Sequence, residues 1–133
     1  MSTIQTSVST VRSGSRVLST SLFIVAVGVL AQAAFAGLFL SGTGGARQFH
    51  LWTGVVLPYF GLVPTVSAWA ASRRGRVTRT VATWTTLLTV ALWVQEALGH
   101  MPFAVSTAIH VPLGVSLFGG ALILGVAARR LGA

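Results

Sequence analysis

Phe49-His50-Leu51-Trp52-Thr53-Gly54 returns sixty residues later as Ile109-His110-Val111-Pro112-Leu113-Gly114. Each copy is a His-x-x-x-Gly at the mouth of a long apolar run. At a rise of about 1.5 Å per residue, such runs are long enough to cross roughly 30 Å of hydrocarbon. The pattern predicts an all-α integral membrane protein, with Met1–Ala133 forming one domain of four antiparallel transmembrane helices over about 17–40, 49–72, 80–98 and 104–128. A histidine inside or at the edge of a membrane span is costly enough to be a functional candidate by default. Two at matching places point to a shared job.

Composition supports the membrane reading. Apolar residues make up 53% of the chain, and Glu96 is the only acidic residue. The formal charge of +8 would raise nucleic acid as a partner in a soluble chain, but the placement of the nine arginines excludes it here. Arg12 and Arg16, then Arg73, Arg74, Arg76 and Arg79, then Arg129 and Arg130 all fall on the cytoplasmic side of a chain that crosses four times from the cytoplasm. This satisfies the positive-inside rule and predicts a multi-pass protein of a bacterial-type plasma membrane with both termini cytoplasmic. Only Arg47 lies outside. The absence of cysteine excludes disulfides, iron-sulfur clusters and c-type haem attachment.

Residues 1–15, rich in Ser and Thr and without apolar period, read as a short, partly disordered tail. The first span is a retained helix rather than a signal peptide, because its apolar run is too long and no small-residue cleavage site closes it. Ser41-Gly42-Thr43-Gly44-Gly45 and Gly99-His100-Met101-Pro102 are outer turns, and Arg73 to Arg79 forms the cytoplasmic turn. Pro58 and Pro64 interrupt the second span, where each removes a helix hydrogen bond and bends the axis. Trp84 and Trp93 lie towards the ends of the third span, where indole suits the interface.

The two halves resemble each other. Gln32 precedes His50 by eighteen positions, Gln95 precedes His110 by fifteen, and each even span ends in an Arg-Arg pair. Two pseudo-repeated hairpins inserted with the same orientation are related by an axis along the membrane normal, which sets His50 and His110 opposite each other at one depth.

This arrangement has the parts that a haem b site needs: two opposed imidazoles, a flat slot, and a cation near the surface. His50 and His110 are the candidate iron ligands. Gly54 and Gly114 lie one turn deeper, where the macrocycle edge must fit. Arg47 is a candidate partner for a propionate, or a loop residue at the headgroups. Gln32 and Gln95 either orient an imidazole through its free N–H or hold helices together. Glu96 and His100 read as a solvated pair, with a proton-carrying role for Glu96 as the sharper alternative. Structural histidines without a cofactor, and a copper or zinc enzyme using His50, His100, His110 and Glu96, stay open beside the haem reading.

The Gln-then-His-x-x-x-Gly hairpin repeat resembles one half of the heme A synthase family, and small four-helix bacterial membrane proteins that look like such halves. The resemblance covers nearly the whole chain through short motifs. It implies a four-helix unit with haem near the outer face and with His50 and His110 as ligands. The family's hydroxylating half has a carboxylate three residues before a ligand histidine, where this chain has Arg47 and Thr107. The resemblance therefore implies haem binding without synthase activity. The expected role is electron transfer, or haem binding within a membrane assembly or homo-oligomer, with the lipid bilayer and a quinone or membrane redox protein as partners. A structural accessory subunit is the alternative.

Overall fold

A computed structural model describes residues 2–102 and 104–131, with side chains at 15–102, 106 and 108–131. Four helices account for nearly all of it: α1 (Ser2–Leu40), α2 (Ala46–Arg73), α3 (Arg79–His100) and α4 (Ala104–Leu131). Each carries a stretch long and apolar enough to cross a membrane, at Ser15–Leu40, Ala46–Arg73, Arg79–His100 and Ala108–Leu131. The helices pack as a ring, α1 on α2, α2 on α3, α3 on α4 and α4 back on α1. Neither diagonal pair, α1 with α3 or α2 with α4, comes into backbone contact among the described residues.

The ends differ in detail from the sequence reading. α1 begins at Ser2 rather than near residue 17, so the Ser/Thr-rich segment expected to be a tail continues the helix. Extending an existing helix adds one hydrogen bond per residue, and the propensity cost of Ser and Thr is only a few tenths of a kcal/mol. Met1 lies outside the described residues. α2 starts at Ala46 after Gly45, whose φ of 78° is open to glycine at no steric cost. Thr78 caps α3, its Oγ1 accepting the Val81 N–H. Gly99 and His100, expected in a turn, are the last residues of α3. Pro58 and Pro64 lie fully buried inside an unbroken α2, and Arg129 and Arg130 fall in the last turn of α4.

Packing is uneven along the helices. In the half that carries the arginine clusters, Leu18, Leu22, Val25, Ala26, Ala68, Ala121 and Ala128 form a closed core. There the Ser19 hydroxyl donates to the Gly125 carbonyl at 2.9 Å, and the Phe23 ring packs against Gly125, where a Cβ would lie 3.1 Å from its Cε1. Thr89 reaches across to the Gly61 carbonyl at 2.7 Å while Thr65 and Thr89 share a hydrogen bond at 2.8 Å. The core stops at a layer formed by Val29, Pro58, Leu92 and Leu117. Beyond this layer, in the half that holds His50 and His110, only Ala46 and Ser106 are buried among the described side chains. The helix faces turned away from the ring are apolar, with Val27, Val66, Val90 and Ile123 each more than half exposed, as a hydrocarbon-facing surface requires.

Gly61 sits where α2 and α3 are closest. A Cβ there would lie 2.9 Å from Leu92 and 3.0 Å from the Thr89 hydroxyl, whereas one at Gly37 would meet nothing within 4 Å. Gly61→Ala should therefore cost about 1–3 kcal/mol of stability in a detergent-unfolding titration. Gly37→Ala should leave the unfolding curve in place. Equal shifts for the two would contradict this division into a packed and an open half.

Candidate functional site

The open half encloses a cavity of about 490 Å³ to which all four helices contribute. Its floor is the layer of Val29, Leu57, Pro58, Leu92, Leu117 and Phe118. Its walls bring together Gln32, His50 and Gly54 from the first helix pair with Gln95, His110 and Gly114 from the second. Six of the seven residues expected at a cofactor thus line one space. Arg47 is the exception, being exposed and outside the lining.

The two histidines are held in the same way. His50 Nδ1 lies 3.0 Å from the carbonyl of Gln32, and His110 Nδ1 lies 3.0 Å from the carbonyl of Gln95. A carbonyl only accepts, so each Nδ1 carries the proton and each Nε2 keeps its lone pair. The helix supplies this acceptor because a carbonyl bonded to the N–H four residues on has a second lone pair to offer. On α3, access to it depends on the residue one turn further along, Gly99. A Cβ at Gly99 would stand 3.2 Å from His110 Cε1, so only a small residue lets that ring reach the backbone.

The glutamine side chains do the second of the two jobs expected of them, holding helices together. Gln32 Nε2 donates to the Thr53 hydroxyl, which in turn donates to the Phe49 carbonyl at 2.6 Å. Gln95 Nε2 donates to the His110 carbonyl at 2.9 Å. Both amides tie a helix to its successor, and it is their own backbone carbonyls that orient the imidazoles. Spacing alone places Gln32 and Gln95 near the histidines but does not show which atom makes the contact. Gln95 Oε1 is buried and meets no donor among the described residues. A buried amide oxygen without a donor is costly, and it marks a point in the wall where a polar partner would be stabilising.

Gly54 and Gly114 face these same groups. A Cβ at Gly54 would lie 3.0 Å from Glu96 Oε2, and one at Gly114 would lie 3.1 Å from Gln95 Nε2. The glycines let polar side chains of the neighbouring helix cross at cavity level. Glu96, read from sequence as half of a solvated pair, does both things: its Oε1 is 3.3 Å from the exposed His100, and the side chain forms part of the cavity wall. The chain's single carboxylate thus stands between solvent and the cavity.

The imidazoles of His50 and His110 face each other across the ring, their centroids 6.4 Å apart and their planes at 68°. Phe39 flanks His50 at 5.8 Å. With a metal–nitrogen bond of about 2.0–2.1 Å, two imidazoles on opposite sides of one metal have centres roughly 6.4 Å apart. The backbones of α2 and α4 do not come into contact among the described residues, and the ring separation between them is compatible with two imidazoles on one metal. Among the described residues no three histidine or carboxylate side chains come together as a metal-ion group, and His100 is turned to Glu96 instead.

No protein family, curated protein or solved structure matches the chain. The resemblance to heme A synthase halves thus rests on the duplicated hairpin motif alone.

The tautomers can be tested directly. In ¹⁵N-histidine NMR spectra of the purified protein, at a pH where the imidazoles are neutral, His50 and His110 should both show protonated Nδ1 and unprotonated Nε2. Nε2-protonated rings would contradict the hydrogen bonds to Gln32 and Gln95.

Proposed function

We propose that the chain is a membrane haem protein in which His50 and His110 ligate the iron of one b-type haem, serving electron transfer alone or within a larger membrane assembly. The observation that carries this reading is the pair of imidazoles 6.4 Å apart, each with its Nδ1 proton tied to a backbone carbonyl. Such bonding fixes the tautomer, orients the ring and makes Nε2 a better donor to a metal. The remaining fit is also favourable. The cavity's volume of about 490 Å³ and largely apolar wall suit a large flat ring, and it ends in a floor rather than a pore.

When bound, the haem supplies a one-electron couple, and the protein's part is to position it and set its surroundings. His50 and His110 would both ligate its iron, which would favour electron transfer over oxygen chemistry. Gly99 admits the His110 ring to the helix backbone. Gln95 Oε1 offers an acceptor within the wall. Arg47, the one arginine at this end, is the cation available to a propionate. An antiparallel bundle of two repeated hairpins, with His50 and His110 near the outer face of a plasma membrane and the arginine-rich end cytoplasmic, is the topology that goes with this function. Partners in this scheme are the bilayer and a quinone or membrane redox protein.

The detergent-purified protein, expressed with ample haem, should show a low-spin haem spectrum at one haem per chain that disappears in both His50→Ala and His110→Ala. Colourless wild-type protein would sink the reading and favour an accessory subunit without cofactor. Gly99→Leu, which drives a side chain into the His110 ring while sparing both ligands, should weaken haem binding by about 10–100-fold. Unchanged affinity in that variant would remove the backbone carbonyl from the account.

A further inference from the structure

The cavity is closed on three sides and open on the fourth. Between α1 and α2, the open half is sealed by the Gln32–Thr53 bond, the His50–Gln32 bond and the stacked rings of Phe35 and Phe49 at 5.7 Å. Between α3 and α4, it is sealed by the two bonds joining Gln95 and His110. Between α2 and α3, Glu96 closes on Gly54, and Tyr59 meets Trp93 edge-on at 4.9 Å. α1 and α4 are neighbours in the ring, and the side-chain contacts at Gly125, with Ser19 and Phe23, join them in the packed half.

The residues along that fourth side are marked by an unusual combination. Leu30 and Leu40 on α1 line the cavity yet are 54% and 78% exposed, and Val111 and Val115 on α4 line it yet are 61% and 69% exposed. A side chain that belongs to a cavity wall and also faces outwards forms a rim. Between the larger rim residues, α1 presents the small residues Ala33 and Gly37, and a Cβ on Gly37 would meet nothing within 4 Å. None of these six residues is polar. The rim lies on spans of hydrocarbon length, so the gap faces lipid, while the polar edge of the cavity, at Gly99 and His100, lies at the helix end.

We infer that the gap between α1 and α4 is a lateral portal through which haem enters and leaves the site by way of the bilayer. This rests on the haem reading given above. The geometry of the portal matches the cargo: a rim without polar side chains costs an apolar macrocycle nothing to cross, and a gap along the helix axes admits a flat ring edge-on. An approach from the aqueous end would instead have to pass the polar side chains of Glu96 and His100, 3.3 Å apart. The two helix pairs, each tied internally by its own histidine and glutamine, form the two jaws. Their tie in the packed half is the hinge side, so widening the gap breaks none of the bonds that orient the imidazoles.

The test is the rate of haem exchange in portal variants of the protein in lipid nanodiscs. Gly37→Trp places a large side chain in open space, and Val115→Trp narrows the gap from the other helix. Val63→Trp, on an exposed position of α2 away from the cavity, is the control. Haem uptake and haem release to an excess of a soluble haem-scavenging protein are followed by absorbance. Both portal variants should reach the wild-type spectrum but slow uptake and release in the same proportion, by about tenfold or more, because an obstructed doorway hinders both directions. Val63→Trp should exchange at the wild-type rate. Wild-type rates in both portal variants, equal slowing by Val63→Trp, or faster release in the portal variants would overturn the portal; the last is the signature of a lost contact in the site. Wild-type protein that takes up no haem would overturn the underlying reading, a result distinguishable from any of these.

Discussion

The arrangement depends on a hydrogen bond made twice: an imidazole on one helix donates Nδ1–H to the backbone carbonyl of a glutamine on the preceding helix. A membrane interior makes this bond important, since a buried polar group without a partner there costs several kcal/mol. The His110 bond needs a small residue a turn further along, Gly99, to let the ring in. Once made, each bond fixes the tautomer and the direction of its ring, and the two join α1 to α2 and α3 to α4. The glutamine side chains strengthen the same two pairings. Interhelical hydrogen bonds of this kind average about 0.6 kcal/mol each, so their chief contribution is to geometry rather than stability.

Stability comes from the other half of the ring, where leucine, valine and alanine from all four helices close on one another and threonines bond across α2 and α3. In lipid, close packing of small residues takes over the role that hydrophobic burial has in water. This division lets the histidine half stay hollow without the fold collapsing into it. The layer of Val29, Pro58, Leu92 and Leu117 is where one regime gives way to the other. Proline suits that layer: Pro58 has no N–H to offer the Gly54 carbonyl four residues earlier, which leaves that carbonyl free of a helix partner at cavity level.

Much of this was legible in the sequence. Apolar run length predicts four spans, and the spacing of Gln32, His50, Gln95 and His110 predicts that they lie together; all four line one cavity. The helix ends were less legible, because a helix already formed in a span carries on through Ser, Thr, Gly99 or His100 against weak local preferences. The bonding was hidden for another reason. Residue types advertise side-chain chemistry, whereas the groups that orient His50 and His110 are main-chain carbonyls common to every residue. Glu96 was read as solvated from its place at a helix end; its reach across to Gly54 depends on the neighbouring helix, which spacing within one helix does not show. Arg47, placed by sequence near the site, stands outside the cavity wall.

The central claim is that His50 and His110 together hold one iron. Low-temperature electron paramagnetic resonance of the oxidised protein, with pulsed detection of ligand nitrogens in ¹⁵N-histidine-labelled and unlabelled samples, reads the axial ligands directly. The account predicts a low-spin ferric signal with two histidine nitrogens coupled to the iron, reduced to one in either single His→Ala variant. A high-spin signal, or coupling to only one histidine in the wild-type protein, would contradict it.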